Sequence, residues 1–158
     1  MVAYQDKIHL TKEGLADIKR EYRELIEVKR PQVVERLASA RQMGDLAENS
    51  EYTHAKEELS FIDGRIEELK NIINNVVLIN NQGQKPRAVG LGCRVTVQIG
   101  EEEEQVFHLV GEWEADPTKK KISHKSPLGR SLLGKKVGEQ VAVEAPVGKI
   151  VYTIKKID

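Results

Sequence analysis

From Tyr52 to Val76 the apolar positions Tyr52, Ala55, Leu59, Ile62, Ile66, Leu69, Ile73 and Val76 follow one another in alternating steps of three and four without exception. That spacing keeps eight side chains on one narrow seam of an α-helix. A seam this narrow on a helix otherwise rich in Glu, Lys and Asn must be covered by a second helix.

The covering helix lies upstream. In Leu10-Thr11-Lys12-Glu13-Gly14-Leu15, Thr11 has the hydroxyl of a helix cap, and Leu10 and Leu15 stand where a hydrophobic staple would fix the entry of the chain, so the helix is predicted to begin near Lys12. Leu15, Ile18, Tyr22 and Leu25 begin its apolar stripe, and a second set, Ile26, Val33, Leu37 and Ala40, carries it on. Pro31 removes a backbone donor between the two sets and disfavours helical geometry at Arg30, which predicts a kink rather than an end, because the stripe resumes. Gly44 is the expected stop. Two heptad-like helices joined by so short a turn must run antiparallel, giving a hairpin whose arms of roughly 30 residues reach on the order of 45 Å.

The turn reads Ala40-Arg-Gln-Met-Gly-Asp-Leu-Ala-Glu-Asn-Ser-Glu-Tyr52 and holds two acids three positions apart, Asp45 and Glu48. Two readings of that spacing stand side by side. Asp45 as a cap with Glu48 reaching back to its amide would be a capping box at the start of the second helix. Alternatively, the pair offers hard oxygen ligands to Mg²⁺, which takes only one or two carboxylates from a given element and would need further oxygens from a partner. Arg36, Arg41, His54 and Lys56 near the tip are solvated side chains or contacts to a nucleic-acid phosphate, with Arg41 the better placed of the two arginines.

Asn80 to Gly92 is rich in Asn, Gln, Gly, Pro and Lys, which marks a linker and divides the chain into residues 1–79 and 80–158. Beyond it the period becomes two. Cys93 to Ile99 and Val106 to Val110 are predicted to form a hairpin around a solvated turn of four glutamates, Glu101 to Glu104. Ile122 to His124 suits a short strand, Ser126-Pro127 opens a helix of about two turns, and Gln140 to Ala145 with Lys149 to Ile157 form a closing hairpin. The class is therefore α+β, a helical hairpin followed by a small, mainly antiparallel sheet crossed by one short helix.

Composition narrows the function. The first 80 residues carry 12 Lys+Arg against 15 Asp+Glu and the other 78 carry 13 against 10, so neither half is a polyelectrolyte and tight independent binding to duplex DNA is not expected. One cysteine, Cys93, excludes an internal disulfide and a Cys-based zinc finger, and is expected to pack as a small apolar residue. No apolar run approaches the ~20 residues of a membrane span, and a cytosolic, reduced setting is expected. His9, His54, His108 and His124 are scattered without ligand spacing, and Trp113 suits a sheet edge better than a stacking platform.

Leu10-Thr-Lys-Glu-Gly14, Arg30-Pro31, and above all Ala40-Arg41, Gly44-Asp-Leu-Ala-Glu-Asn49 and Glu51-Tyr52 resemble the bacterial transcript-cleavage factors of the GreA/GreB family. Val110-Gly111, Glu114-Ala-Asp116, Ile122-Ser123, Ser126-Pro-Leu-Gly-Arg130 and Leu132-Leu-Gly-Lys135 are similar to that family's second half in order and spacing. The resemblance implies an antiparallel coiled coil and a C-terminal domain of FKBP-like fold that docks on the rim of RNA polymerase's secondary channel. It implies that the coiled coil reaches down the channel and that the tip acids, matching Asp45 and Glu48, help bind a Mg²⁺ shared with the polymerase and position water for cleavage of the backtracked 3′ end of the nascent RNA. Lys56 matches a position where the family tends to have a basic residue, and the sparse basic residues near the tip make the chain more similar to GreA than to GreB. Two other functions compete: a channel-occupying regulator that inhibits without inducing cleavage, and a prolyl isomerase, the latter opposed by the aromatic content of 4%.

Overall fold

A computed structural model describes residues 7–45, 47–80 and 85–158. The described chain forms two compact units, one of residues 15–76 and one that joins 7–14 to 77–158. The first unit expected from the sequence ran unbroken to residue 79; in the structure residues 7–14 belong with the sheet. The reason is a three-residue strand, β1 (Ile8–Leu10), which pairs with an equally short β2 (Val76–Leu78), so the Ile79 N–H donates to the Leu10 carbonyl at 2.8 Å.

In the helical unit, α1 (Lys12–Glu24) leads through a π-helical turn at Leu25–Lys29 into α2 (Arg30–Gln42), and α3 (Ser50–Asn75) returns beside it. The buried positions of the first arm are Ile18, Leu25, Val33 and Ala40, and those of the second include Ala55, Ile62 and Leu69. Ala55, Ile62 and Leu69 repeat every seven residues, with Ile72 also buried beyond them; the first set is spaced seven, eight, seven. The extra residue falls in the π turn, where the Arg30 N–H donates to the carbonyl of Leu25 instead of Ile26. A π turn takes up one residue per insertion, so Leu25 stays buried while Ile26 is 38% exposed. Pro31 follows directly on that turn as the second residue of α2, and the helix runs on past it without a break. Ion pairs cross between the arms at Arg65–Glu21 (2.8 Å), Arg30–Asp63 (2.7 Å) and Arg36–Glu58 (2.8 Å).

The second unit is a five-stranded sheet built from β3 (Arg94–Ile99), β4 (Glu104–Val110), β5 (Lys121–Ser123), β6 (Gln140–Ala145) and β7 (Gly148–Ile157), in the order β5-β4-β3-β7-β6. Every pairing is antiparallel except β4 with β5. Alternation puts Val95, Val97, Leu109, Val141 and Ile154 on the covered face, with Leu132 of α4 (Pro127–Leu132) packed among them and Cys93 buried as a small apolar side chain. Ser126 caps α4 by accepting from the Gly129 N–H at 3.0 Å. Glu101 to Glu104 are all exposed, as a solvated turn requires. The architecture is α+β, as the sequence led us to expect.

Candidate functional site

The tip of the hairpin is built by residues that finish one helix and start the next. Helix α2 ends at Met43, whose N–H donates to the Ala40 carbonyl at 3.1 Å, and Gly44 follows with φ of +119°, a conformation that L side chains rarely adopt. Helix α3 begins four residues later than a capping box at Asp45 would have it. Its cap is Asn49, whose side-chain oxygen accepts from the Tyr52 N–H at 3.1 Å. The capping-box reading of Asp45 and Glu48 is therefore overturned. Asn49 carries a cap signal as strong as that of Asp, and the chain has room for one helix start between Gly44 and Tyr52.

With capping done by Asn49, the two acids are left to solvent. Asp45 and Glu48 are both exposed. One Asp45 oxygen accepts from the Ala47 N–H at 3.1 Å, a local turn that steadies the carboxylate while leaving its second oxygen without a partner among the described residues. Glu48 has no hydrogen-bond or ion-pair partner among them. These are the conditions in which two carboxylates can serve as hard ligands.

The basic residues divide clearly. Arg36 is committed to α3, reaching Glu58 at 2.8 Å and Glu51 at 3.6 Å. Arg41 and Lys56 are exposed and make no ion pair among the described residues, so their charges remain available at the tip. Lys56 lines a shallow surface groove with Tyr52, Thr53, Glu57 and Ser60. The sequence ranks Arg41 above Arg36 by its nearness to the turn; the register between the arms adds the reason that Arg36 is committed to α3.

Asn49 is the tip residue that sequence reasoning passed over. Besides capping α3 it donates its amide to the Ala40 carbonyl at 2.7 Å, linking the end of one helix to the start of the other. The signal was present, since an Asn directly before Ser50-Glu51-Tyr52 is a cap candidate, but Asp45 competed for the same role.

In the sheet unit, His9 and His124 come together edge to face at 6.4 Å, in a cleft also lined by Glu112, Trp113 and Lys125. Trp113 is 44% exposed on a 3₁₀ turn, Glu112–Glu114. Lys125 pairs with Glu112 at 2.9 Å and, by hydrogen bond and charge, holds the Glu112 carboxyl below its usual range. Among the described residues no three His, Cys, Asp or Glu side chains converge as a metal site, and no helix is long and apolar enough to cross a membrane.

Two family profiles match the chain. One described as "Transcription elongation factor, N-terminal" covers residues 8–78, and one described as "Transcription elongation factor, GreA/GreB, C-term" covers residues 84–158. Together they span both units and set the class: a transcription elongation factor. The "Transcription elongation factor GreA" of Lactococcus lactis subsp. cremoris (strain SK11) is 47% identical over 150 residues, covering 94% of this chain and 96% of that protein. That of Geobacillus kaustophilus (strain HTA426) is 43% identical over 154 residues, covering 97% and 98%. Among solved structures, "GreA factor homolog 1 (Gfh1)" of Thermus thermophilus is 27% identical with a TM-score of 0.45, covering 96% of this chain and 99% of that one. The chain belongs to the GreA/GreB family of transcription elongation factors. Members of this family bind RNA polymerase, and stimulation of transcript cleavage is the family's function.

Proposed function

We propose that this chain carries its hairpin tip through the secondary channel of RNA polymerase and stimulates the polymerase's own cleavage of backtracked RNA 3′ ends, so rescuing arrested complexes. One observation supports the reading most: Asp45 and Glu48 are exposed at the turn of a helical hairpin and relieved of capping by Asn49. Buried or committed to a cap, they could not be delivered to another protein's active centre.

The tip fits Mg²⁺ as part of a ligand set. Two carboxylates of the right chemistry are present, whereas Mg²⁺ demands near-octahedral oxygen coordination, and no third candidate converges among the described residues. Asp45 and Glu48 would hold the ion together with carboxylates of the polymerase and an RNA phosphate, and none is bound by the factor alone. In that position the ion would supply Lewis acidity for phosphodiester hydrolysis. Asp45 is steadied by its bond from Ala47, and Arg41 and Lys56 neutralise phosphates of the extruded RNA. The hydrolytic centre belongs to the polymerase, and the factor is a supplier of acids rather than an enzyme in its own right. Docking on the channel rim falls to the sheet unit.

The test is the double variant Asp45→Asn, Glu48→Gln on a stalled polymerase complex. Asn at position 45 can still accept from Ala47, and the cap at Asn49 is untouched, so the hairpin is expected to fold as before while factor-dependent RNA shortening is abolished. Cleavage at the wild-type rate would sink the proposal.

A further inference from the structure

Capping α3 requires only an acceptor. Ser, Asp or Asn at position 49 would satisfy the Tyr52 N–H about equally well. What Asn alone among these adds is an amide donor, and the structure uses it: the Asn49 Nδ2 donates to Ala40 O at 2.7 Å while the Asn49 Oδ1 accepts from Tyr52. Ala40 lies in the last turn of α2, where carbonyls lack the regular i+4 donor, and is 1% exposed. The same carbonyl accepts from the Met43 N–H at 3.1 Å, so both of its lone pairs are used. The Asn49 backbone carbonyl is in turn held by the Thr53 N–H at 3.1 Å and the Thr53 hydroxyl at 3.2 Å.

We propose that Asn49 is a positioning residue for the tip acids, its amide bridging the end of α2 to the start of α3 and so fixing Glu48, its chain neighbour, relative to Asp45. This rests on the tip acting as described above. Without the bridge Asp45 follows the end of α2 and Glu48 the start of α3, so the two carboxylates move with the two arms. With it, the end of α2 and the start of α3 are tied together. Ligands shared with another protein's metal centre must be held within roughly 0.5 Å of productive geometry, and the bridge is the described bond that crosses between the two helix ends at the tip.

The experiment compares Asn49→Asp and Asn49→Ser with wild type. Both keep an acceptor for Tyr52 and remove the amide donor; Asp also points an anionic oxygen at the Ala40 carbonyl. Helical circular dichroism and melting temperature are expected to stay near wild type. In the stalled-complex assay the concentration of factor giving half-maximal cleavage should stay near wild type, while the maximal rate falls by about tenfold or more and the Mg²⁺ concentration needed for half-maximal rate rises. A merely structural role would move melting or affinity and leave the Mg²⁺ dependence alone. Wild-type maximal rate and Mg²⁺ requirement in both variants would overturn the inference, as would a loss confined to affinity or folding. The variant lacking both acids separates the two levels: if it still cleaves, the reading of the tip fails; if it is dead while both Asn49 variants behave as wild type, only the role given to Asn49 fails.

Discussion

Thr11 and Glu114 stand 103 positions apart and are joined twice, the Thr11 N–H donating to one carboxylate oxygen at 2.8 Å and the hydroxyl to the other at 2.5 Å. The Thr11 hydroxyl oxygen also accepts from the Gly14 N–H at 3.1 Å, which makes Thr11 the cap of α1. In a capping box the acid that reaches back to the cap amide is the third helical residue, here Gly14. Glu114 supplies that carboxylate from a distant segment, and Gly14 leaves room for it, since a Cβ there would overlap the Glu114 carboxyl.

Glu114→Ala is therefore expected to cost about 1–2 kcal/mol, by leaving the Thr11 N–H without its acceptor at a helix start. Adding Gly14→Glu should recover part of that loss by rebuilding the box locally. On the wild-type background Gly14→Glu should destabilise, because two carboxylates would compete for one amide. Urea unfolding of the four proteins closes the cycle.

Much of this fold was legible because its elements are long and periodic. The seam from Tyr52 to Val76, the strand ranges after Cys93 and the Ser126-Pro127 helix start all stand in the structure within a residue or two. What escaped was decided by partners remote in sequence. Strands β1 and β2 have three residues each, too few to show a period, and they meet only because the chain returns. The parallel pairing of β4 with β5 leaves no local mark. At the tip the acids are legible as candidates, but spacing leaves Asp45 open both as a cap and as a ligand and cannot rank it against Asn49; the Asn49 bond to Ala40 depends on the register between the arms. The π turn was foreshadowed by the apolar stripe switching from the Leu25 set to the Ile26 set.

That switch gives a direct check. Leu25→Ala removes a side chain 6% exposed and is expected to cost about 2 kcal/mol or more. Ile26→Ala, at 38% exposure, should cost well under half of that, with about the same denaturant slope. Equal costs would mean that the extra residue is not absorbed before Ile26.

Gly111 packs against backbone rather than a side chain. A Cβ there would collide with the His9 carbonyl, which cannot swing aside without moving β1. Gly111→Ala is expected to cost roughly 1–3 kcal/mol and to loosen β1 from β2. Amide exchange at Ile79, whose N–H donates to Leu10, should rise by a larger factor than exchange within β3.

His108 faces Arg94 on one neighbouring strand and Lys121 on the other. Burial first and then Arg94 push its imidazole below the ordinary 6.5; the Gly92 backbone opposes them, Lys121 adds a smaller push downward, and Glu114 opposes least. The unfolded chain therefore takes up a proton that the folded one refuses. Stability attributable to this residue is present above about pH 6.5 and lost as the pH falls from there through the folded value. His108→Gln should flatten that part of the stability-versus-pH curve, measured by urea unfolding at a series of pH values.

The π turn at Leu25–Lys29 has a further consequence for the working end of the hairpin. One residue added to a regular α-helix turns everything beyond it by about 100°. Here the surplus residue is swallowed within a single widened turn, so Val33 and Ala40 still face α3 and the azimuth of the tip is the one that a first arm one residue shorter would give it. The turn acts as a phase corrector. Changes in the length of the first arm can be absorbed at this point while Asp45 and Glu48 keep their heading.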